Sequence, residues 1–167
     1  LYKDATQTVF GEGNSHAVAM FVGEQPGDRE DREGHPFVGP AGVLLRNAMD
    51  TAGIAPGDVY ITNAVKHFKF VERGKRRIHA KPKRTEVLAR EPWLIEEIKV
   101  VRPQLVVALG ATAAGALLGP AFRLTQHRGE LVVSPYAPRV VATVHPVVDP
   151  ARARRRRAAR RAGRVRR

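Results

Sequence analysis

Short apolar runs separated by longer polar stretches set the reading of this chain. His16-Ala17-Val18-Ala19-Met20-Phe21-Val22 has the length of a buried strand, which we place at residues 17–22. Val59-Tyr60-Ile61-Thr62-Asn63, Leu105-Val106-Val107-Ala108-Leu109 and Val140-Val141-Ala142-Thr143-Val144 read the same way. Glu130-Leu131-Val132-Val133, after the turn pair Arg128-Gly129, reads as an edge strand. Apolar residues at helical spacing predict a helix over about 41–52, with Gly53 as its stop. A second helix is predicted from a Thr85 cap to about Val101. Its packing face is Val87, Leu88, Trp93, Leu94, Ile95 and Ile98, and Pro103 lies beyond its end. Ala111–Leu118 predicts a short Ala-rich helix, and residues 1–15 a polar lead-in in which Thr8-Val9-Phe10 pack on an edge. Strands alternating with helices in this way predict a three-layer α/β/α domain with a central, mostly parallel four-stranded sheet.

One interval departs from the alternation. About twenty residues, Gly23 to Gly42, separate the first strand from the first helix, where about 2–6 are usual. A surface excursion built from turn residues is the plain explanation. The density of acids and glycines, with Pro36-Phe37 among them, favours a functional loop, and it leaves the carboxyl end of a strand, where open α/β sheets bind ligands. In a parallel sheet the strand ends Gly23-Glu24-Gln25, Asn63, Gly110 and His145 share that rim. The rim then holds two carboxylates (Glu24, Asp28), two amides (Gln25, Asn63), the Phe37 ring and the His145 imidazole. Residues 64–84, a basic connector carrying Lys75-Arg76-Arg77 and His79, spring from the same place.

This inventory suits a flat heterocycle on a polyanion. Phe37 can stack on a base, Asn63 can read its edge with one donor and one acceptor, and the Lys/Arg run can hold phosphates. Each residue also has a plainer use: Asn63 as a cap, Phe37 as a loop anchor, His145 as a structural histidine, Lys75-Arg76-Arg77 as a solvated loop. His79 is either a nucleic-acid contact or a nucleophile, the latter if Glu24 or Asp28 polarises its second ring nitrogen. His16, His35 and His127 have no evident role.

Length and charge narrow the class. The 167 residues suit one domain. The net charge of +13 is concentrated in residues 151–167, which hold ten arginines and no acid; without them residues 1–150 carry only +3. We therefore expect a folded unit at 1–150 and an Arg/Ala-rich low-complexity tail at 151–167. The absence of cysteine excludes disulfides and thiolate-held metals in this sequence. No signal peptide and no membrane-length apolar run is visible, so a cytoplasmic protein is expected. The first residue is Leu1 rather than Met, so an N-terminal piece is expected to be missing. A phosphate-loop nucleotide enzyme is excluded because Gly23–Gly42 has no Gly-Lys-Ser/Thr ending.

Gly23–Gly42, Ile61-Thr62-Asn63-Ala64-Val65-Lys66-His67, Lys75-Arg76-Arg77-Ile78-His79 and Val144-His145-Pro146 together resemble the uracil-DNA glycosylase superfamily. Gln25 combined with the Lys-Arg-Arg-Ile-His insertion resembles, within it, the UdgX-type branch of the iron–sulfur (family 4) enzymes. The resemblance covers residues 1 to about 146 and implies a bacterial protein of the nucleoid, acting as a monomer. It would bind uracil in single-stranded DNA, break the glycosidic bond and stay covalently attached to the deoxyribose in a single turnover. It implies catalytic roles for His79, Glu24, Asp28 and His145, uracil binding by Gly23, Gln25, Phe37 and Asn63, and DNA binding by Lys75, Arg76 and Arg77. Within that set His79 is the nucleophile, Glu24 its activator, and Gln25 and Asp28 position the group. His145 donates to the uracil O2 as negative charge develops there.

Two departures accompany the resemblance. The family carries a 4Fe-4S cluster held mainly by cysteines; here Arg90 stands where a helix cysteine is expected, and His67 occupies another ligand position. No cofactor is therefore expected, and the region around 1–10, 67 and 90 should be less stable than in relatives. After His145-Pro146 the family's wedge loop and covering helix are replaced by Val147-Val148-Asp149-Pro150 and the tail, a composition that suggests a frame-shifted GC-rich reading. A module that binds uracil-DNA or nucleic acid without cleavage is the rival reading.

Overall fold

The computed structural model of the chain describes residues 3–147. The tail expected at 151–167 lies outside the described residues. Four parallel strands form the centre of a six-stranded sheet: β2 (Ala19–Gly23), β3 (Val59–Asn63), β6 (Leu105–Leu109) and β8 (Ala137–Thr143). β1 (Glu12–Gly13) and β7 (Leu131–Ser134) add antiparallel edges, giving the order β1-β3-β2-β6-β8-β7. The expected parallel centre is thus present, widened by one edge strand on each side. Val9 is buried beside the sheet and donates its N–H to the Lys66 carbonyl at 2.8 Å, but the edge strand itself begins later, at Glu12.

Alternation along the central strands divides the core in two. Met20, Val22, Val106, Ala108, Val140 and Ala142 face one side, under Leu94, Ile98 and Val101 of α4 (Glu91–Val101) and Ala113, Ala114 and Leu117 of α5 (Ala111–Leu118). Phe21, Val59, Val107 and Leu109 face the other, under Leu45 and Met49 of α2 (Pro40–Thr51). Three layers result.

Two expected elements differ in form. The helix read from Thr85 to Val101 is broken into α3 (Arg84–Leu88) and α4, because Pro92 has no N–H and fits only the first turn of a new helix. The basic connector is a β-hairpin, β4 (Phe70–Arg73) and β5 (Arg76–His79), turning at Gly74-Lys75 with Gly74 at φ +60°. The long loop also contains a short helix, α1 (Asp28–Glu33), which no apolar periodicity announces.

The chain leaves β2 for β3 on one side and later returns to place β6 on the other. The sheet's topological switch point therefore lies between the ends of β2 and β6, at Glu24 and Gly110.

Candidate active site

Gly23, Asn63 and Leu109 continue the alternation that places Phe21, Ile61 and Val107 on the α2 face, so they floor the rim of the sheet on that side. Asn63 is 2% exposed. Gly23 has no room for a side chain: a Cβ there would collide with the Asn63 amide oxygen and lie 2.6 Å from the Phe37 ring. Beyond the strand ends the pairing continues, with Ala64 N–H donating to the Gly23 carbonyl and Val65 N–H to that of Glu24, both at 2.9 Å. Asn63 is held from behind as well, since the buried Lys66 ammonium donates to its carbonyl at 2.7 Å. Lys66 is itself paired with Glu97 of α4, which also accepts from Thr62 Oγ1 at 2.8 Å. Burial lowers the Lys66 pKa against the opposing pull of Glu97.

The long loop is built around a buried carboxylate. Glu30 of α1 accepts from the Gly27 N–H at 3.1 Å and the Gly39 N–H at 2.8 Å, drawing the two ends of the segment together. This presents Phe37, buried, with its backbone in the left-handed region at φ +54°. Such a conformation needs outside support. Arg46 Nη1 donates to the Phe37 carbonyl at 2.9 Å, and Gly42 lets that carbonyl press against α2 where any Cβ would overlap it. The Phe37 and His145 rings stack with centroids 6.3 Å apart.

The hairpin closes the cavity from above. At its base Lys69 and Ala80 pair, and the buried Gln25 amide bonds both: it donates to the Lys69 and Ala80 carbonyls at 3.1 Å each and accepts from the Lys69 N–H at 3.2 Å. Arg77 fastens the hairpin to α1, donating to Asp28 at 2.5 Å and to the fully buried Asp31 at 2.7 Å, with its guanidinium over the Phe68 and Phe70 rings. His79, the last residue of β5, points its Nε2 at Glu24 Oε1, 3.3 Å away. The other Glu24 oxygen accepts from Thr112 Oγ1. Burial would raise the Glu24 pKa, but hydrogen bonds from His79 and Thr112, with Lys81 nearby, outweigh it and hold the carboxyl below its ordinary value. Burial lowers the His145 pKa, with Glu24 and His79 pulling in opposite directions, so His145 is neutral near pH 7 and keeps one N–H to donate.

The result is a cavity of about 730 Å³ at the switch point, of ordinary ligand-pocket size. Glu24, Gln25, Asp28, Phe37, Asn63, His79 and His145 all line it, and Gly23 lies directly beneath. Lys75 and Arg76 stand exposed at the hairpin turn, whereas Arg77 is turned inward to the acids of α1. Asp28 is engaged by Arg77 and Arg32, and these contacts overcome its slight desolvation to lower its pKa. Thr112 and Lys81 also line the cavity and were not singled out from the sequence. The signal for Thr112 was its place two residues past the rim glycine Gly110.

The residues present do not fit an iron–sulfur cluster. His67 Nε2 pairs with Thr8 Oγ1 at 2.8 Å, its buried Nδ1 makes no hydrogen bond, and burial together with the Arg90 charge lowers its pKa. Among the described residues no group of His, Cys, Asp and Glu could hold a metal. Among the described residues, no helix is long and apolar enough to cross a membrane.

A mostly parallel sheet carrying, at its switch point, a cavity lined by Asn63, Phe37, the Glu24 carboxylate and two imidazoles describes an α/β protein with a polar and aromatic ligand pocket. Residues 10–162 match the family model of the uracil DNA glycosylase superfamily, and the chain belongs to that family. It is 37% identical over 147 residues to the type-4 uracil-DNA glycosylase of Thermotoga maritima, covering 87% of this chain and 73% of that one. The type-4 uracil-DNA glycosylase of Pyrobaculum aerophilum is 39% identical over 84% of this chain and 68% of its own length. That of Saccharolobus solfataricus is 42% identical over 66% of this chain and 48% of its own.

Proposed function

We propose that this chain is a uracil-DNA glycosylase of the UdgX type, which excises uracil from single-stranded DNA and captures the abasic sugar on His79. Residues 1–150 are its glycosylase unit, working as a monomer at the bacterial nucleoid and without a cluster. Uracil enters the cavity out of the stack, with Phe37 against its face, Asn63 on its polar edge and Gly23 leaving room beneath. As the C1′–N1 bond breaks, its electron pair leaves with uracil, and neutral His145 donates a hydrogen bond to O2 where the charge collects. The His79 lone pair forms the new N–C1′ bond. The proton on its other ring nitrogen stays paired with, or passes to, Glu24, and the uracil anion takes a proton from solvent. Gln25, Asp28 and Arg77 hold the hairpin that carries His79, while Lys75 and Arg76 meet phosphates.

The observation that carries this reading is the 3.3 Å approach of His79 to Glu24 at the mouth of a cavity holding Asn63, Phe37 and His145. Incubation with labelled uracil-containing single-stranded DNA should leave a band retarded on a denaturing gel; thymine DNA and the His79→Ala variant should leave none. An equally strong band with His79→Ala overturns the nucleophile assignment. The rival, a uracil-DNA binder without cleavage, draws on the donor set around His67 that cannot hold a cluster. It predicts binding with no release of free uracil.

A further inference from the structure

We propose that Thr112 is a positioning residue for this site: its hydroxyl, donated to Glu24 Oε2, turns the carboxylate so that Oε1 faces His79. The inference rests on the capture reading and adds to it the group that aims the activator.

Three features give Thr112 this part. The first is where its hydroxyl goes. At the first turn of α5 it does not cap its own helix but reaches a carboxylate 88 residues away in sequence. The second is how firmly it is held. Thr112 is the second residue of α5, whose start is fixed by Gly110 at φ +96° with its N–H on the Thr143 carbonyl at 2.8 Å. Its neighbours Ala113 and Ala114 are buried against the sheet, and a β-branched side chain in a helix has few χ1 choices. The third is what Glu24 lacks otherwise. Its side chain has three rotatable bonds, and its other partner, His79, rides half-exposed on a hairpin. A carboxylate held only by that ring would follow it. Held by α5, the carboxylate sets the ring's position and not the reverse.

The test compares Thr112→Val, which keeps the shape and removes the hydroxyl, with Thr112→Ser, which keeps the hydroxyl. Single-turnover capture of uracil-containing single-stranded DNA is followed from acidic to neutral pH, and equilibrium binding of the same DNA is measured in a His79→Ala background. We expect Thr112→Val to slow capture by about tenfold or more and to move the acidic limb of the rate to higher pH. Thr112→Ser should restore most of the rate, and binding in the His79→Ala background should change by less than about twofold with either substitution. Capture by Thr112→Val at the wild-type rate with an unmoved acidic limb overturns the inference, as does a Thr112→Ser variant no faster than Thr112→Val. If Thr112→Val does not fold, Thr112→Ala supplies the hydroxyl-free arm under the same criteria. If the wild type releases uracil but forms no adduct, the capture reading fails by itself. The role of Thr112 is then read from the uracil-release rate, and an unchanged rate in Thr112→Val overturns it. A wild type that does neither overturns both.

Discussion

Glu24 receives Thr112 from the helix on one core face and His79 from the hairpin, while its own carbonyl anchors β3 through the Val65 N–H. Single atoms matter throughout this site. Gly23→Ala would place a methyl group against the Asn63 amide oxygen and the Phe37 ring, at the rim end of the α2-side core, so it should weaken uracil-DNA binding by about tenfold or more while the fold persists. Binding of uracil-containing and thymine-containing DNA by fluorescence anisotropy reads this directly; unchanged selectivity would remove Asn63 and Phe37 from base recognition. At this scale the sequence was informative wherever a polar residue ended a strand, which is why Glu24, Asn63 and His145 were legible. Thr112 was not, because a threonine in an Ala-rich helix looks like filler until the distant carboxylate it meets is known. The inward turn of Arg77 was equally hidden in a run of like charges, since only the folded α1 supplies its acids.

The hairpin and α1 act as one unit, and Arg77 is the fastening. Its guanidinium bonds Asp28 and Asp31 and covers Phe68 and Phe70 at 5.4 and 5.0 Å. Arg77→Ala would leave the fully buried Asp31 carboxylate, among the described residues, with the Thr6 N–H alone, a loss of about 2 kcal/mol by the ordinary value of a charge-assisted hydrogen bond. Hydrogen exchange should show faster exchange across Phe70–His79 and slower capture, with DNA binding less affected; unchanged protection there would mean that Gln25 alone holds the hairpin. The hairpin could not be read as strands because its four-residue arms are short and half charged, and their apolar residues are split between Phe70, which stacks on Phe68 under Arg77, and the exposed Val71–Ile78 pair. α1 was unreadable for a related reason: all six of its residues are charged, and it is held by Glu30 and Asp31 rather than by an apolar stripe.

Over the whole molecule the parallel centre was legible, because strands buried on both faces read as continuous apolar runs, and the edge β7 was legible from its Leu-Val-Val run after a turn, whereas the two-residue β1 gains its place only by pairing. The order of those strands brings the ends of β2 and β6 together, and that crossing fixes where the cavity forms. The same burial that shapes the molecule makes its stability depend on pH. His67 and His145 both have pKa values lowered from 6.5, chiefly by burial, so the unfolded chain binds protons that the fold refuses. Stability should therefore fall as the pH drops below about 6.5 and keep falling toward the folded-state values. Glu24, whose pKa is depressed, adds a loss only at lower pH, below its ordinary carboxylate value. Urea midpoints across that range test this; a midpoint that rises on mild acidification contradicts it. The most direct measurement of the central claim is peptide mapping by mass spectrometry after reaction with uracil-containing single-stranded DNA and nuclease trimming. The account predicts a deoxyribose-derived mass on the peptide containing His79 and localised to that side chain; the same mass on another residue, or free uracil beside an unmodified chain, would contradict it.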